Sequence, residues 1–423
     1  MHPPCSLLAA GDFSVRLAVV SPFLDRSHGT ERCIVEQIER WAKLPGVEFH
    51  LYAQEVKDLP GVVRFRGQAS PGLILWHKVP KIPGPHLFGF AFWFVANHVQ
   101  RFWDAHVRGL QFDAVYTPGI NISDADVISV HIVFQEFYRR VRSHLRFRDF
   151  PVVAWPILIH RLIYYRLICF LERVIYSQRR TALCTISRYT AEALAEFAKR
   201  DDIVVIRYGV DAETFDPRVR LARREGMRAS LGMSSERFCL LLIGNDWKKK
   251  GLDALLQALA LCRNLPLELL VVGKDDRRGY DELLGRLGLV ERVRFVEPSP
   301  DVVQFFAAAD AYVGPSLEDA YGLPILEAMA CGLPVIASAR AGASEIIADG
   351  KDGLILRNPE DSRELAEHLQ RLASDTNLCA RLGEAAAATA REHTWDRNAA
   401  ETWEFLQKAA ERKKSTGQRK AGA

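Results

Sequence analysis

Residues 314–338 read GPSLEDAYGLPILEAMACGLPVIAS. A strand ends at Ser316 and a short acidic loop follows. Gly322-Leu323-Pro324 then opens a helix, with Pro324 well suited to its first turn. LPVIAS (333–338) supplies the next strand. Doubly wound α/β folds bind ligands at the carboxyl ends of their parallel strands. The unpaired N–H groups and positive dipole end of a helix start favour phosphate there. Asp319 precedes the helix and Glu327 stands about one turn inside it, eight positions on. Carboxylates beside a phosphate site are costly unless hydroxyls donate to them, and sugar rings supply hydroxyls.

Working outward, strand signals alternate with amphipathic helices almost throughout, which predicts α/β architecture with parallel sheets buried on both faces. The N-terminal strands are VRLAVVSPF (15–23), VEFHLYA (47–53), VVRFR (62–66), FDAVYTP (112–118), ADVISVHIV (125–133) and TALCTIS (181–187). The pattern restarts after DIVVIRYGVD (202–211) with FCLLLIG (238–244), LELLVVG (267–273), RVRFVE (292–297), DAYVGPS (310–316) and DGLIL (352–356). The boundaries expected are an N-terminal domain over 1–205, a second over 206–395, and a helix over 396–411 packing back on the first. STGQRKAGA closes the chain, and 412–423 are expected as a disordered basic tail.

The 423 residues are 48% apolar and 26% charged, which excludes a disordered chain, and a net charge of +4 gives no bulk case for nucleic acid. Eight scattered cysteines without a C-x-x-C pair suit neither a disulfide framework nor a zinc site. The start MHPPCSLLAAGD lacks the basic region of a signal peptide. The longest apolar runs, Leu87–Ala96 and Pro151–Ile159, fall short of a membrane span.

One segment breaks the rhythm. Residues 136–180 interleave Arg139, Arg140, Arg142, Arg146 and Arg148, and later Arg161, Arg166 and Arg173, with aromatic and aliphatic side chains. Such a stretch suits an anionic membrane surface, and it equally suits a loop and packed helix with solvated arginines. Both readings stand at this point.

The 314–338 stretch resembles the signature of the retaining glycosyltransferases of family 4, a Glu-x7-Glu pair in a P-S-x-x-E-x-x-G-L-P-x-x-E-A-M-A-x-G-x-P-V-I frame. Here it stands as Pro315-Ser316, Gly322-Leu323-Pro324, Glu327-Ala328-Met329-Ala330, Gly332 and Pro334-Val335-Ile336. The first acid departs: it is Asp319, with Glu318 directly before it as the alternative. GNDWKKKGLDALLQALA (244–260) resembles the family's G-x5-K-G element, with Lys250 before Gly251 and Lys249 in place of a common Arg. Asn245 stands where many members carry Arg, so Lys248–Lys250 supply the charge. Gly273 with Lys274-Asp275 resembles the nucleotide-facing turn, and GASEII (342–347), with Gly342 and Glu345, the element flanking the donor. Arg207-Tyr208-Gly209-Val210-Asp211 with Phe215, and Ser187, resemble the elements that position the domains.

The first half matches more loosely. In the loop SPFLDRSHGTER (21–32), Gly29 is the candidate for approach to the donor phosphate. The loop is not G-x-G-x-x-G and no acid follows at dinucleotide spacing, which argues against a nicotinamide enzyme. His131, at a strand end, resembles a family histidine beside the donor sugar.

The resemblance implies a GT-B fold, two Rossmann-like parallel-sheet domains facing a cleft. It implies sugar transfer from a nucleotide-sugar, UDP- or GDP-linked, to a glycan or lipid-linked glycan acceptor, with retention and without a metal. The expected roles are Lys249 and Lys250 on the phosphates, Glu327 on the ribose, and Asp319 or Glu318 with the Gly322-Leu323 backbone on the sugar. Gly29 and Gly273 join them at the donor and His131 beside it. No cofactor is expected beyond the donor as co-substrate. Cell-envelope or polysaccharide synthesis is the expected setting, in the cytoplasm or at the inner face of its membrane. A phosphorylase, an epimerase or a non-catalytic nucleotide-binding protein are the alternatives.

Overall fold

The computed structural model describes residues 15–26, 29–65, 74–142 and 151–421. It divides into two compact units, one of residues up to Ile186, Thr190–Ile206 and Ala399 onward, the other of Ser187–Tyr189 and Arg207–Asn398.

The first unit runs β1 (Val15–Val20), β2 (Phe23–Leu24), α1 (Gly29–Trp41), β3 (Val47–Ala53), β4 (Glu55–Val56), β5 (Val62–Arg64), β6 (Ile74–Lys78) and α2 (His86–Val107). It continues with β7 (Ala114–Pro118), β8 (Val127–Val130), α3 (Phe134–Val141), α4 (Trp155–Tyr176), β9 (Ala182–Thr185), α5 (Arg188–Ala198) and β10 (Val204–Val205). Eight strands form one parallel sheet in the order β10-β9-β8-β7-β1-β3-β6-β5. The order reverses between β1 and β7, where Thr117 Oγ1 donates to the Val20 carbonyl at 2.7 Å. β1, β3, β7 and β8 are almost wholly buried because helices cover both faces of the sheet, with Glu48 and His50 of β3 buried among its apolar residues.

The second unit runs α6 (Pro217–Ser230), β11 (Phe238–Ile243), α7 (Leu252–Leu261), β12 (Leu267–Val272), α8 (Arg278–Leu287), β13 (Val293–Val296), α9 (Val303–Ala308) and β14 (Ala311–Gly314). Then come α10 (Leu323–Ala330), β15 (Val335–Ser338), β16 (Leu354–Leu356), α11 (Ser362–Ser374) and α12 (Thr376–Ala390), and α13 (Trp395–Ala421) follows, belonging to the first unit from Ala399 onward. Its six parallel strands lie in the order β13-β12-β11-β14-β15-β16, so the switch point falls between β11 and β14. Local chemistry sets the helix starts: Asp216, Asp361 and Asp375 cap α6, α11 and α12 by accepting backbone N–H groups. Leu240, Leu242, Leu255, Leu259, Leu269 and Val271 form the centre of its core.

Several expectations are corrected. ILWHK (74–78), not expected as a strand, pairs with β3 and β5. The tail expected to be disordered is helical to residue 421 as the end of α13. Tertiary charge holds it: Lys413 Nζ lies 2.8 Å from Asp126 and Lys414 Nζ 2.7 Å from Asp113. Earlier in the same helix, Ala399 and Thr402 accept from Trp41 and Gln37 of α1. Arg146 and Arg148 lie outside the described residues, as does the side chain of Arg140.

Candidate functional site

Three loops meet at the switch point of the second unit. The first, 244–251, leaves β11. It is tied sideways by Lys274 N–H to Asn245 Oδ1 (2.8 Å) and Trp247 N–H to Asp275 (2.8 Å), so the turn after Gly273 and the lysine loop move as one. The second, 315–322, leaves β14 and is hydrogen-bonded to the first, with Leu317 N–H donating to the Lys249 carbonyl at 2.8 Å. The third follows β15: Asp319 N–H donates to Arg340 O (3.1 Å), Gly342 N–H to Asp319 O (3.1 Å) and Ala343 N–H to Tyr321 O (2.7 Å).

Glycine permits this convergence at two places. Gly251 has φ 77°, and a Cβ there would lie 2.0 Å from the Pro315 carbonyl oxygen. Gly322 has φ 87° and caps α10 with no side chain of its own over the helix start, with Pro324 in the first turn.

Across the switch point, Lys250 Nζ lies 2.5 Å from Asp319 Oδ2, with both side chains mostly buried. Asp319 Oδ1 accepts from Tyr321 N–H at 3.3 Å, which fixes the carboxylate over the start of α10. Glu327, 3% exposed, lies one turn into α10. Burial pushes the Tyr312 phenol of β14 far above its ordinary value, and the charges of Asp319 and Glu327 add to the push. The two acids therefore act on one buried phenol at the base of the site. Lys249 is half exposed and reaches Asp246 at 3.4 Å. Glu318 is half-buried in the same loop, and Leu323 is the first residue of α10.

Glu345, in the 342–347 element, is hydrogen-bonded to backbone. Its two oxygens accept from the N–H groups of Arg188 and Tyr189, each at 3.0 Å, and Arg207 approaches at 3.3 Å. The carboxylate is thus held by backbone N–H groups of Arg188 and Tyr189, residues of the same unit.

The remaining two candidates lie in the first unit. Gly29 is the first residue of α1 rather than a loop residue. His131 follows β8 and is 4% exposed; burial holds its imidazole down at about 3, so it is neutral at physiological pH. His131 lines a hollow of about 620 Å³ at the carboxyl ends of β1, β7 and β8, together with Ser21, Thr30, Trp93, Tyr164 and Glu172. That volume is of ligand-pocket size. Glu172 was not foreseen. It is fully buried in α4, accepts from Phe134 and Gln135 N–H at 2.7 and 2.8 Å, and burial lifts it to about 7. The sequence signal was a lone acid in an otherwise acid-free apolar helix.

Two Rossmann-like units, one with cations and acids gathered over a helix start at its switch point, define a GT-B glycosyltransferase fold. Residues 223–389 match the model of the family described as "Glycosyl transferases group 1". D-inositol 3-phosphate glycosyltransferase of Stackebrandtia nassauensis is 34% identical over 234 residues, covering 52% of this chain and 52% of that protein. The chain thus spans about half the length of the curated relatives it matches. Among solved structures, WaaG, a glycosyltransferase involved in lipopolysaccharide biosynthesis, superposes with a TM-score of 0.71 at 21% identity, covering 92% of this chain and 99% of that one. Anabaena HepE in complex with UDP and glucose superposes with a TM-score of 0.66 at 20% identity, covering 93% and 100%.

Proposed function

We propose that this protein is a retaining glycosyltransferase that moves a sugar from a UDP- or GDP-linked donor to the hydroxyl of a glycan or lipid-linked glycan, without a metal. The observation that carries this reading is the Lys250–Asp319 pair spanning the β11/β14 switch point above the start of α10. In the proposed chemistry the bond between the anomeric carbon and the phosphate oxygen breaks as the acceptor oxygen bonds to that carbon on the same face. The acceptor proton passes to the departing phosphate oxygen. Lys249 and Lys250 offset the charge that grows on the phosphate, and the N–H groups after Gly322 assist. Asp319 and Glu318 receive hydroxyls of the donor sugar, and Glu327 those of the ribose.

The UDP complex of HepE supports UDP as the first donor nucleotide to try. The hollow containing His131 supports an acceptor side in the first unit, where a neutral imidazole serves as a hydrogen-bonding group and not as a cation. WaaG's role in lipopolysaccharide biosynthesis supports a cell-envelope glycan as product and a place of work at the cytoplasmic face of the membrane.

A thermal-shift panel of UDP, GDP, ADP and their sugars, followed by NMR of the product from the best binder, tests the reading. Stabilisation by one nucleotide and an anomeric configuration matching the donor's are expected. Sugar release or isomerisation without acceptor would instead mean a phosphorylase or epimerase, and no nucleotide-induced shift would remove the donor-site assignment.

A further inference from the structure

We infer that the outer faces of α2 and α4 form one docking surface for an anionic lipid bilayer, which brings a lipid-borne acceptor to the hollow of the first unit. For the acceptor, this rests on the function proposed above.

Globular proteins bury large apolar side chains on helix faces that meet a core. α2 does the opposite along a whole side. Phe88, Val95, Val99 and Phe102 recur at helical spacing, each about 60% exposed, with Trp103 beside them. On α4, Ile159, Ile163, Arg166, Phe170 and Arg173 fall at alternating intervals of four and three, which places them on one face, all exposed to solvent. The helices meet near their N-terminal ends, where the Phe88 ring lies 6.2 Å from His160 and Phe90 6.0 Å from Tyr164. Two exposed apolar rows on packed neighbouring helices exceed the scattered single residues of an ordinary surface.

Charge selects the occupant. The acid within α2 is Asp104 and that within α4 is Glu172, and both are fully buried. The exposed α4 row therefore carries Arg166 and Arg173, and neither row carries a carboxylate. A second copy of the chain packed face to face would set these arginines against each other with no acid to answer them. An anionic bilayer answers them with phosphate and takes the aromatic and aliphatic side chains into its interfacial zone. Among the described residues no helix is long and apolar enough to cross a membrane, so the helices lie in the interface plane.

The inner faces of the same helices give the surface its use. Phe90 and Trp93 of α2 and Tyr164 and Ile168 of α4 line the hollow. A lipid held at the outer faces is one helix thickness from the chamber that contains His131.

The test is flotation of the purified full chain with phosphatidylcholine vesicles, with and without phosphatidylglycerol. The native chain should float with the anionic vesicles. The double variant Val99→Glu/Phe102→Glu should lose at least about tenfold in partition, and Arg166→Glu/Arg173→Glu should lose mainly the anionic preference. These side chains point to solvent, so circular dichroism and nucleotide-induced thermal shifts should match the native chain and report intact folding. A native chain that stays out of anionic vesicles overturns the inference, as does undiminished flotation of Val99→Glu/Phe102→Glu. Light scattering that shows a dimer lost in that variant, without vesicle binding, would assign the face to a second copy instead. Flotation without any nucleotide-induced shift would leave the lipid surface standing and remove the donor reading alone.

Discussion

Lys250 and Asp319 come from loops on opposite sides of the topological switch point and are joined by an ion pair of 2.5 Å. The pairing sets opposite charges side by side: a lysine leaning against the Gly244 backbone and a carboxylate largely removed from water. A phosphate arriving at Lys250 competes for its ammonium. In the proposed reaction the released carboxylate then accepts from a hydroxyl, which would engage donor phosphate and donor sugar together.

Lys250→Met should therefore lower kcat/KM by about 10²–10³-fold, the scale of losing one charge-stabilising group in a transition state. Lys250→Arg keeps the charge but not the compact point geometry, and should recover part of that loss. Steady-state kinetics with donor varied at saturating acceptor reads both outcomes. Equal activity in Lys250→Met and the native enzyme would remove the lysine from the reaction.

The two acids should separate in their effects. Glu327→Ala should weaken nucleotide binding, read by calorimetry as a rise in Kd of about tenfold or more. Asp319→Ala should leave nucleotide Kd nearly unchanged and depress kcat. The same kinetic split distinguishes Glu318→Ala: a fall in kcat there, with Asp319→Ala benign, would give the sugar contact to Glu318.

Gly251→Ala is a stability prediction. An alanine with φ 77° costs about 1–2 kcal/mol, and its Cβ would overlap the Pro315 carbonyl oxygen at 2.0 Å. The loops must part, so the loss should reach about 3 kcal/mol or more. It should appear in urea melts as an earlier transition of the second unit, with the transition of the first unit unmoved.

What could be read from the sequence tracks how local each feature is. The start of α10 was legible because Gly322, Pro324 and the flanking apolar runs lie within a few residues of one another. The family resemblance put Lys250 and Asp319 at one donor site, but their direct ion pair was not legible, since it needs β11 beside β14 and strand order is not written in either segment. Glu345 shows the same limit: nothing in its motif told that its oxygens accept from the backbone N–H groups of Arg188 and Tyr189, far away in sequence. The tail misled by composition. Small polar residues argue for disorder until Lys413 and Lys414 find Asp126 and Asp113 on the first unit. β6 escaped notice because its alternation is broken by His77, which is buried beside Asp104 at 2.7 Å and so behaves as core.

The hollow of the first unit holds two buried groups whose titrations oppose each other. His131 sits at about 3 in the folded chain against 6.5 in the open one, so below pH 6.5 the unfolded chain binds a proton that the folded chain refuses. Its contribution is therefore present above pH 6.5 and is lost as pH falls towards 3, at up to about 1.4 kcal/mol per pH unit. Glu172 sits at about 7 against 4.5, so its contribution is complete below pH 4.5 and is lost as pH rises through 7. Between pH 4.5 and 6.5 the two slopes should largely cancel in the native protein. His131→Gln should remove the acid-side loss and leave stability falling with pH in that window. Glu172→Gln should remove the alkaline-side loss and leave stability rising. Urea melts of the first unit across pH 4–8 decide the matter: parallel pH profiles in the native chain and both variants would mean that neither group titrates as its burial requires.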